Sequence, residues 1–444
     1  MDRQPLGWLG IVRLGLVQSA LGSIVVLTTS TLNRVMAVEL ALPVALPAAL
    51  VAWHYVVQLS RPRWGHGSDM GRRRTPWIVG GMGVLAMGAL LATNATALMA
   101  SSTVGGIALA IVGFTMIGAG VGASGTSLLA LLATRVTPSR RPAAAAITWI
   151  MMIVGIVLTA GIGGGLLDPF SMQRLALVAS GVALVAFVVT LLAVWGIEGQ
   201  PVAAPAPIER APAFSVALKE TLGDPKARLF AIFVLVSMVA YSAQELILEP
   251  FAGLVFSMTP GQSTQMSGVQ NGGVLLGMVL VGALGGLVGG RGKGWMRGWT
   301  IAGCVGSAAM LGLLAGAAAV GPSWPIMPTV FGLGFFNGMF AVAAIGSMMG
   351  LAGEGGTDGK GTREGIRMGV WGAAQAMGFA AGGFLGAVGV DIGRGLMGAD
   401  APAFGLVFIL EAGLFLASAI IASRIGAPAS SAVSPLPGAR HVQA

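Results

Sequence analysis

Six ionisable side chains lie within long apolar stretches of this sequence, where burying a charge is costly. They are Arg13, Arg34, His54, Glu245, Glu249 and Glu411. Groups of this kind usually pair with one another, carry protons or mark a ligand path, and a neutral imidazole can bind a metal. The five charged residues are therefore candidate charges of a central cleft, and His54 is a candidate ligand.

The spacing of the charged residues leaves alternatives open. Glu245 and Glu249 lie one helical turn apart on one face. Either Arg34 and Glu249, at similar depths, pair across a cleft, or the acids mark the outer edge of their span. Arg13, about two turns into the first span, either faces the cleft or reaches back to the surface. Glu411 has no partner in sequence, so it is either protonated or meets a polar group on a neighbouring helix.

No motif typical of catalysis is present. The sequence lacks a phosphate-binding loop, a dinucleotide fingerprint, H-E-x-x-H, and a credible G-x-S-x-G. Cys304 is the only cysteine, which excludes an internal disulfide and a C-x-x-C metal site. The net charge of +9 is spread over short loops instead of forming one basic patch. We therefore predict a protein that is not an enzyme, without a catalytic residue, nucleotide, metal site or nucleic-acid partner.

Membrane helices are the elements that must position the six residues. The chain is 55% hydrophobic and 9% charged, and its apolar residues form runs of about 20, the length that crosses a bilayer. The sequence predicts an all-α integral membrane protein with twelve transmembrane helices. Their ranges are about 6–35, 42–59, 77–98, 103–133, 143–166, 174–195, 227–255, 266–288, 295–318, 325–351, 365–388 and 402–422.

The distribution of positive charge predicts the orientation. If both termini face the cytoplasm, 21 of the 25 Lys and Arg residues lie on that side, and only Arg34, Arg174 and Arg394 lie on the other. The longest loop opens with a proline-rich stretch and divides the chain into six spans plus six. We predict an N-terminal half, 1–198, a cytoplasmic linker, 199–225, a C-terminal half, 226–424, and a disordered cytoplasmic tail, 425–444.

A charged loop between the second and third spans carries the first resemblance. It reads G-H-G-S-D-M-G-R-R-R from Gly65 and includes Asp69, Gly71, Arg72 and Arg73. This pattern resembles the G-x-x-x-D-x-G-R-R signature of the major facilitator superfamily. The resemblance implies a fold of two six-helix halves and a loop that acts in conformational change. Residues 118, 127 and 131 recur at 338, 347 and 351, a weak sign of the same internal repeat.

Two further stretches narrow the resemblance. L-N-R-V-M-A-V-E-L from Leu32 and Q-E-L-I-L-E-P-F-A-G-L-V-F from Gln244 resemble the PucC/LhaA family, over roughly residues 6–425. That family is found in photosynthetic bacteria and is implicated in assembling light-harvesting complexes and delivering bacteriochlorophyll to them. The resemblance implies bacteriochlorophyll as a ligand, with His54 as a candidate for binding the pigment.

The function that this resemblance implies is assembly of antenna complexes in the bacterial inner, intracytoplasmic photosynthetic membrane. The partners would be single-span light-harvesting polypeptides, the reaction centre–antenna complex, bacteriochlorophyll and the lipid bilayer. Two alternatives remain open: a proton-coupled transporter of a small molecule that uses Glu245, Glu249 or Glu411, and a structural subunit of the mature photosynthetic complex.

Overall fold

The computed structural model describes residues 6–61, 73–137, 140–198, 219, 223, 225–287, 294–353 and 362–425. This part of the chain is helical and contains no strand, as the sequence predicts. The main helices, numbered in chain order, are α1 Trp8–Glu39, α2 Ala45–Gln58, α3 Thr75–Met99, α4 Thr103–Arg135, α5 Arg141–Leu167, α6 Met172–Val194, α7 Pro225–Phe256, α8 Pro260–Leu287, α9 Gly294–Val320, α10 Ile326–Gly353, α11 Thr362–Met397 and α12 Asp400–Arg424.

Eleven of these described helices, α1 and α3 to α12, are long and apolar enough to cross a membrane. The exception is α2, whose 14 residues span about 21 Å, less than the ~30 Å hydrocarbon core of a bilayer. Its start is delayed because the chain reverses at Ala41, which has a φ of +51°, and Pro43 follows. The predicted second span is therefore shorter than expected.

Helix pairing is the same in two segments of the chain, which we call the first segment (residues 6–198) and the second segment (residues 225–425). In the first segment, α1 packs against α5 and α6, α2 against α4, and α3 against α4 and α6. In the second segment, α7 packs against α11 and α12, α8 against α10, and α9 against α10 and α12, so each pairing recurs six helices later. The two segments meet where α1 contacts α7, α2 contacts α11, and α5 contacts α8.

One end of the bundle holds the connections 40–44, 100–102, 168–171, 257–259, 321–325 and 398–399. The charge distribution predicts that this end faces away from the cytoplasm, and we call it the outer end. Most of the predicted linker, 199–225, and residues 426–444 of the predicted tail lie outside the described residues.

Glycines allow α8 and α10 to approach each other closely. A Cβ atom added to Gly273 or Gly277 of α8 would come within 2.2 Å or 2.1 Å of a carbonyl oxygen of α10. On α10, a Cβ atom at Gly334 would lie 1.9 Å from the Gln270 carbonyl oxygen. The backbones thus pack without intervening side chains, as small residues permit in membrane helices.

Helix α1 is widened where it meets the second segment. Two π-type turns, Leu27–Thr31 and Val35–Glu39, interrupt its regular winding. Thr28 and Thr29 both donate hydroxyl hydrogen bonds to the Val25 carbonyl oxygen, and such back-bonding disturbs the backbone ladder. Wide turns of this kind occur often at functional sites. The first contains Ser30 and Thr31, and Asn33 lies between the two; all three bond to α7 or α8.

Candidate functional site

A buried polar seam joins α1 to α7 and α8, and it is centred on Glu249. The Glu249 carboxylate is 1% exposed, and its Oε1 accepts hydrogen bonds from the hydroxyls of Ser30, at 2.6 Å, and Ser267, at 2.5 Å. The two serine oxygens also lie 3.1 Å apart. One carboxylate oxygen therefore links three helices from both segments, which is an arrangement able to respond to movement between them.

Neighbouring residues extend the seam. The Asn33 amide of α1 donates to the Leu246 carbonyl oxygen of α7 at 2.6 Å. The hydroxyls of Thr31 and Thr264 share a hydrogen bond of 3.0 Å between α1 and α8. Asn33, Thr31 and Thr264 are all fully buried. Because buried polar groups are costly unless paired, these bonds favour the observed contact between the segments over any arrangement that separates them.

Arg34 belongs to the same seam but does not form the predicted direct pair with Glu249. Its guanidinium pairs with Glu39 of its own helix at 2.5 Å and donates to the Met258 carbonyl oxygen at 2.5 Å. Arg34 is 1% exposed and still acts on Glu249 electrostatically. Arg34 pairs with Glu39 in preference to Glu249 because Glu39 lies only five residues further along the same helix.

A second group, the tyrosine cluster, lies between α2, α7 and α11. It consists of Tyr55, Tyr241 and Phe379, and the two tyrosines are the only ones in the chain. Their rings lie 5.6 Å and 5.8 Å from the Phe379 ring. Glu245, one turn after Tyr241, interacts electrostatically with both tyrosines. All four side chains are half-buried, so this predicted acid faces an aromatic site between the segments.

His54 lies beside the tyrosine cluster but is closed off. It is 1% exposed, its Nδ1 lies 2.6 Å from the Val51 carbonyl oxygen, and its ring packs 4.1 Å from the Tyr55 ring. The Nδ1 contact leaves Nε2 as the nitrogen that could bind a metal, but burial of the ring leaves no free face beside it for a pigment macrocycle. Pigment binding by His54 therefore stays a prediction that requires another conformation.

Glu411 is buried in α12, and spacing along the helices places another buried polar residue, Gln244 of α7, at about its level. The Phe251 ring contacts Phe404 and Phe408 at 5.5 Å and 5.0 Å. Gln244 lies seven residues before Phe251, and Glu411 lies seven after Phe404, so both continue the contacting faces. Because α7 and α12 run in opposite directions, the two side chains lie at about the same level. Their buried amide and carboxylate atoms have no hydrogen-bond partner in the described structure.

Arg13 is not a cleft charge. Its guanidinium donates to the carbonyl oxygens of Leu192, at 3.2 Å, and Trp195, at 2.5 Å. These carbonyls end α6, where free acceptors and the helix dipole favour a positive charge. Of the two interpretations of Arg13, the geometry favours the one that takes it out of the cleft, and the residue stabilises a helix end.

At the end of the bundle opposite the outer end, Glu198 performs a role that the sequence did not suggest. Its carboxylate accepts from the backbone N–H groups of Arg74, at 2.5 Å, and Thr75, at 2.7 Å, at the start of α3. Arg135 donates to the Glu198 carbonyl oxygen at 2.7 Å. Glu198 thus ties the ends of α3, α4 and α6 together.

The predicted conformational loop ends at this network, because Arg74 is its last residue. Gly65, Asp69, Gly71 and Arg72 lie outside the described residues, and Arg73 is exposed. Among the described residues, no group of three or more His, Cys, Asp or Glu side chains could hold a metal ion.

Comparison with known proteins gives one family and several relatives. Residues 31–429 match the family model described as "PUCC protein". The "Bacteriochlorophyll synthase 44.5 kDa chain" of Rhodobacter capsulatus is 52% identical over 97% of this chain and 98% of its own length. "Protein PucC" of Cereibacter sphaeroides is 30% identical over 95% of this chain and 92% of its own. "Protein PucC" of Rhodobacter capsulatus is 28% identical, over 82% and 80%.

Proposed function

The chain belongs to the PUCC protein family, and we propose that it is an assembly factor for bacterial light-harvesting antenna complexes. In this proposal it brings bacteriochlorophyll and single-span antenna polypeptides together in the membrane. Family membership is the observation that carries the proposal. The name of the Rhodobacter capsulatus relative, which mentions bacteriochlorophyll, supports pigment as the cargo.

The fold that goes with this function is the major facilitator arrangement of twelve helices in two six-helix halves. The repeated helix pairing supports it, and α2 would be the shortened second span. The polar seam and the tyrosine cluster then lie where the halves meet, so changes there would accompany movement of one half against the other. Large lipid-exposed faces on the outer helices are available to antenna polypeptides.

In this proposal the chain is not itself a synthase, although the name of one relative contains that word. Three acids of the described chain bind other groups of the protein. Glu249 accepts from serines, Glu198 accepts from backbone N–H groups, and Glu39 pairs with arginine. Among the described residues, Glu411 is buried without a partner and without a metal-binding cluster near it. A holding and handing-over role fits these groups better than bond making.

Topology gives the first test. With both termini in the cytoplasm of the photosynthetic membrane, alkaline phosphatase fused after Gly261 or Gly321 should be active, because both residues lie at the outer end. Fusions after Gly67 or Gly361 should be inactive, because the charge distribution predicts cytoplasmic loops there. The reverse pattern of activity would reject the proposed orientation.

Deletion of the gene in the native photosynthetic bacterium tests the function. We expect antenna absorbance in the membrane to fall severalfold while bacteriochlorophyll can still be extracted, because the pigment is made but not assembled. The wild-type gene and the Arg424→Met variant, which changes an exposed end of α12, should both restore absorbance. Purification of the protein in mild detergent should recover pigment or antenna polypeptide with it.

Other outcomes of the same experiment favour other functions. Loss of extractable bacteriochlorophyll would indicate a synthase. Unchanged antenna absorbance, with uptake or efflux of a soluble compound that Glu245→Gln or Glu249→Gln abolishes, would indicate a transporter. Unchanged absorbance in a strain without a related protein would reject assembly.

A further inference from the structure

Two aspartates at the outer end each bind the start of a helix in the opposite segment. Asp391 of α11 accepts from the backbone N–H groups of Val44, at 3.1 Å, and Ala45, at 2.8 Å, at the start of α2. Asp168, directly after α5, accepts from the hydroxyl of Thr259 at 2.9 Å, just before α8. Each contact therefore crosses from one segment to the other.

Asp168 binds a turn, residues 259–262, whose conformation follows from its own residues. Thr259 and Gln262 form reciprocal bonds: the Gln262 N–H donates to the threonine hydroxyl oxygen at 3.2 Å, and the Thr259 N–H donates to the glutamine Oε1 at 3.0 Å. This is a capping box, with Pro260 as the first helical residue. Gly261 is required because an added Cβ atom would lie 2.4 Å from an Asp168 carboxylate oxygen.

The two turns that receive the aspartates occupy equivalent places in the chain. Ala41 and Ser257 both have positive φ, of 51° and 54°, and the residue after each closes the same turn, Leu42 onto Met36 and Met258 onto Ala252. Each residue of the first turn is 216 positions before its equivalent in the second turn, and Ala45 is likewise 216 positions before Gly261. The receiving turns are therefore structural repeats, whereas the two aspartates, 223 residues apart, reach them from different positions: Asp391 from within α11 and Asp168 from just after α5.

We infer that Asp168 and Asp391 form a two-point latch that holds the outer ends of the two segments together and whose release opens the outer end. The Asp391 carboxylate gains from two backbone N–H groups at the start of α2, and the Asp168 carboxylate gains from the Thr259 hydroxyl and from the dipole of α8. Separating the segments would remove these partners, and among the described residues Asp391 would keep only Arg394 of its own segment, at 3.6 Å. The polar seam lies between the two points, so the latch also controls access to Glu249.

The latch rests on these contacts alone and is independent of the proposed pigment and antenna function. Loss of one charge-assisted bond should shift the balance between closed and open outer ends by about 5- to 150-fold. The variants Asp168→Asn, Asp391→Asn and their combination keep side-chain size while removing charge. The control is Asp400→Asn, because Asp400 is also at the outer end but pairs at 2.5 Å with Arg394 of its own segment. Arg394 also lies 3.6 Å from Asp391, so this control is matched to Asp168→Asn, whose contact it does not touch.

Two measurements on the purified full-length protein test the latch. Spin labels at Ser102 and Ser323, in a background with Cys304→Ala, report the distance between segments at the outer end. We expect a longer second distance in the double variant and a single short distance in the wild type and in Asp400→Asn. Hydrogen exchange should rise selectively at the amides of 44–46 in Asp391→Asn, since the carboxylate accepts from two of them. It should rise at Thr259 and Gln262 in Asp168→Asn, since the carboxylate fixes the hydroxyl of their capping box.

The exchange measurement keeps the test valid if the double variant does not fold, since each single variant must expose its own helix start. Unchanged distances and unchanged exchange in folded variants would overturn the latch. Equal changes in Asp400→Asn would overturn it as well, because the effect would then come from loss of outer-end charge in general.

Discussion

Replacement of Gly334 by alanine is expected to reduce folded, detergent-soluble protein by more than tenfold. The new Cβ atom would lie 1.9 Å from the Gln270 carbonyl oxygen, which is backbone and cannot rotate away. Overpacking a tight interface typically costs about 1–3 kcal/mol and sometimes more, and rigid backbone on both sides places this site at the upper end. Size-exclusion yield and thermal unfolding in detergent measure the loss.

The control for this prediction lies on α8 itself. An added Cβ atom at Gly282 meets nothing within 4 Å, and alanine favours a helix by up to about 1 kcal/mol over glycine. Gly282→Ala should therefore equal or exceed the wild type in yield. If Gly334→Ala and Gly282→Ala unfold at the same temperature, the close backbone contact between α8 and α10 does not stabilise the fold.

These glycines show what the sequence could and could not provide. On α8, the four-residue spacing of Gly273 and Gly277 indicates a close-packing face, and both contact α10. Gly282 and Gly286 have the same spacing, but Gly282 faces open space. Spacing in one helix cannot reveal which helix it meets, so the partner Gly334 could not be identified. The sequence therefore predicted a close-packing face on this helix, but it did not predict which helices pack against each other.

The charged residues follow the same division. Burial of Arg34 and Glu249 between the segments follows from their depth in apolar spans, but their individual partners depend on local geometry. Glu39 takes the arginine, and two serines take the acid. Asp168 was missed because a single acid after a helix is common, and its partner Thr259 is 91 residues away.

Length and composition were sufficient for most of the fold. Apolar runs predict the spans because only helices satisfy the backbone inside a membrane. The exception, α2, depends on a chain reversal at Ala41, a residue type that rarely adopts positive φ. Pro43 indicates an interruption here, but nothing in the sequence indicates a positive φ at Ala41, which is an exposed alanine.

Replacement of Arg34 by methionine is the second change with a large expected effect. Methionine keeps much of the side-chain volume but removes the charge that pairs with Glu39 and acts on Glu249. Removing one partner of a fully buried charge pair costs about 3–5 kcal/mol, because the other is left uncompensated; since Glu39 is 34% exposed and water can solvate it, we expect the lower end, about 3 kcal/mol. The free energy of unfolding should fall by this amount, whereas Arg424→Met, at an exposed helix end, should change it by about 0.5 kcal/mol or less.

A double variant distinguishes the causes of this loss. In Arg34→Met with Glu249→Gln, the fully buried carboxylate is gone and only Glu39, which is 34% exposed, is left without the arginine; an amide at position 249 can still accept from Ser30 and Ser267. We expect the double variant to recover at least half of the lost stability, measured by unfolding in detergent. A double variant no more stable than Arg34→Met would show that the loss comes from the arginine's bonds to Glu39 and Met258. If Arg34→Met were as stable as Arg424→Met, Arg34 would have no role in holding the two segments together.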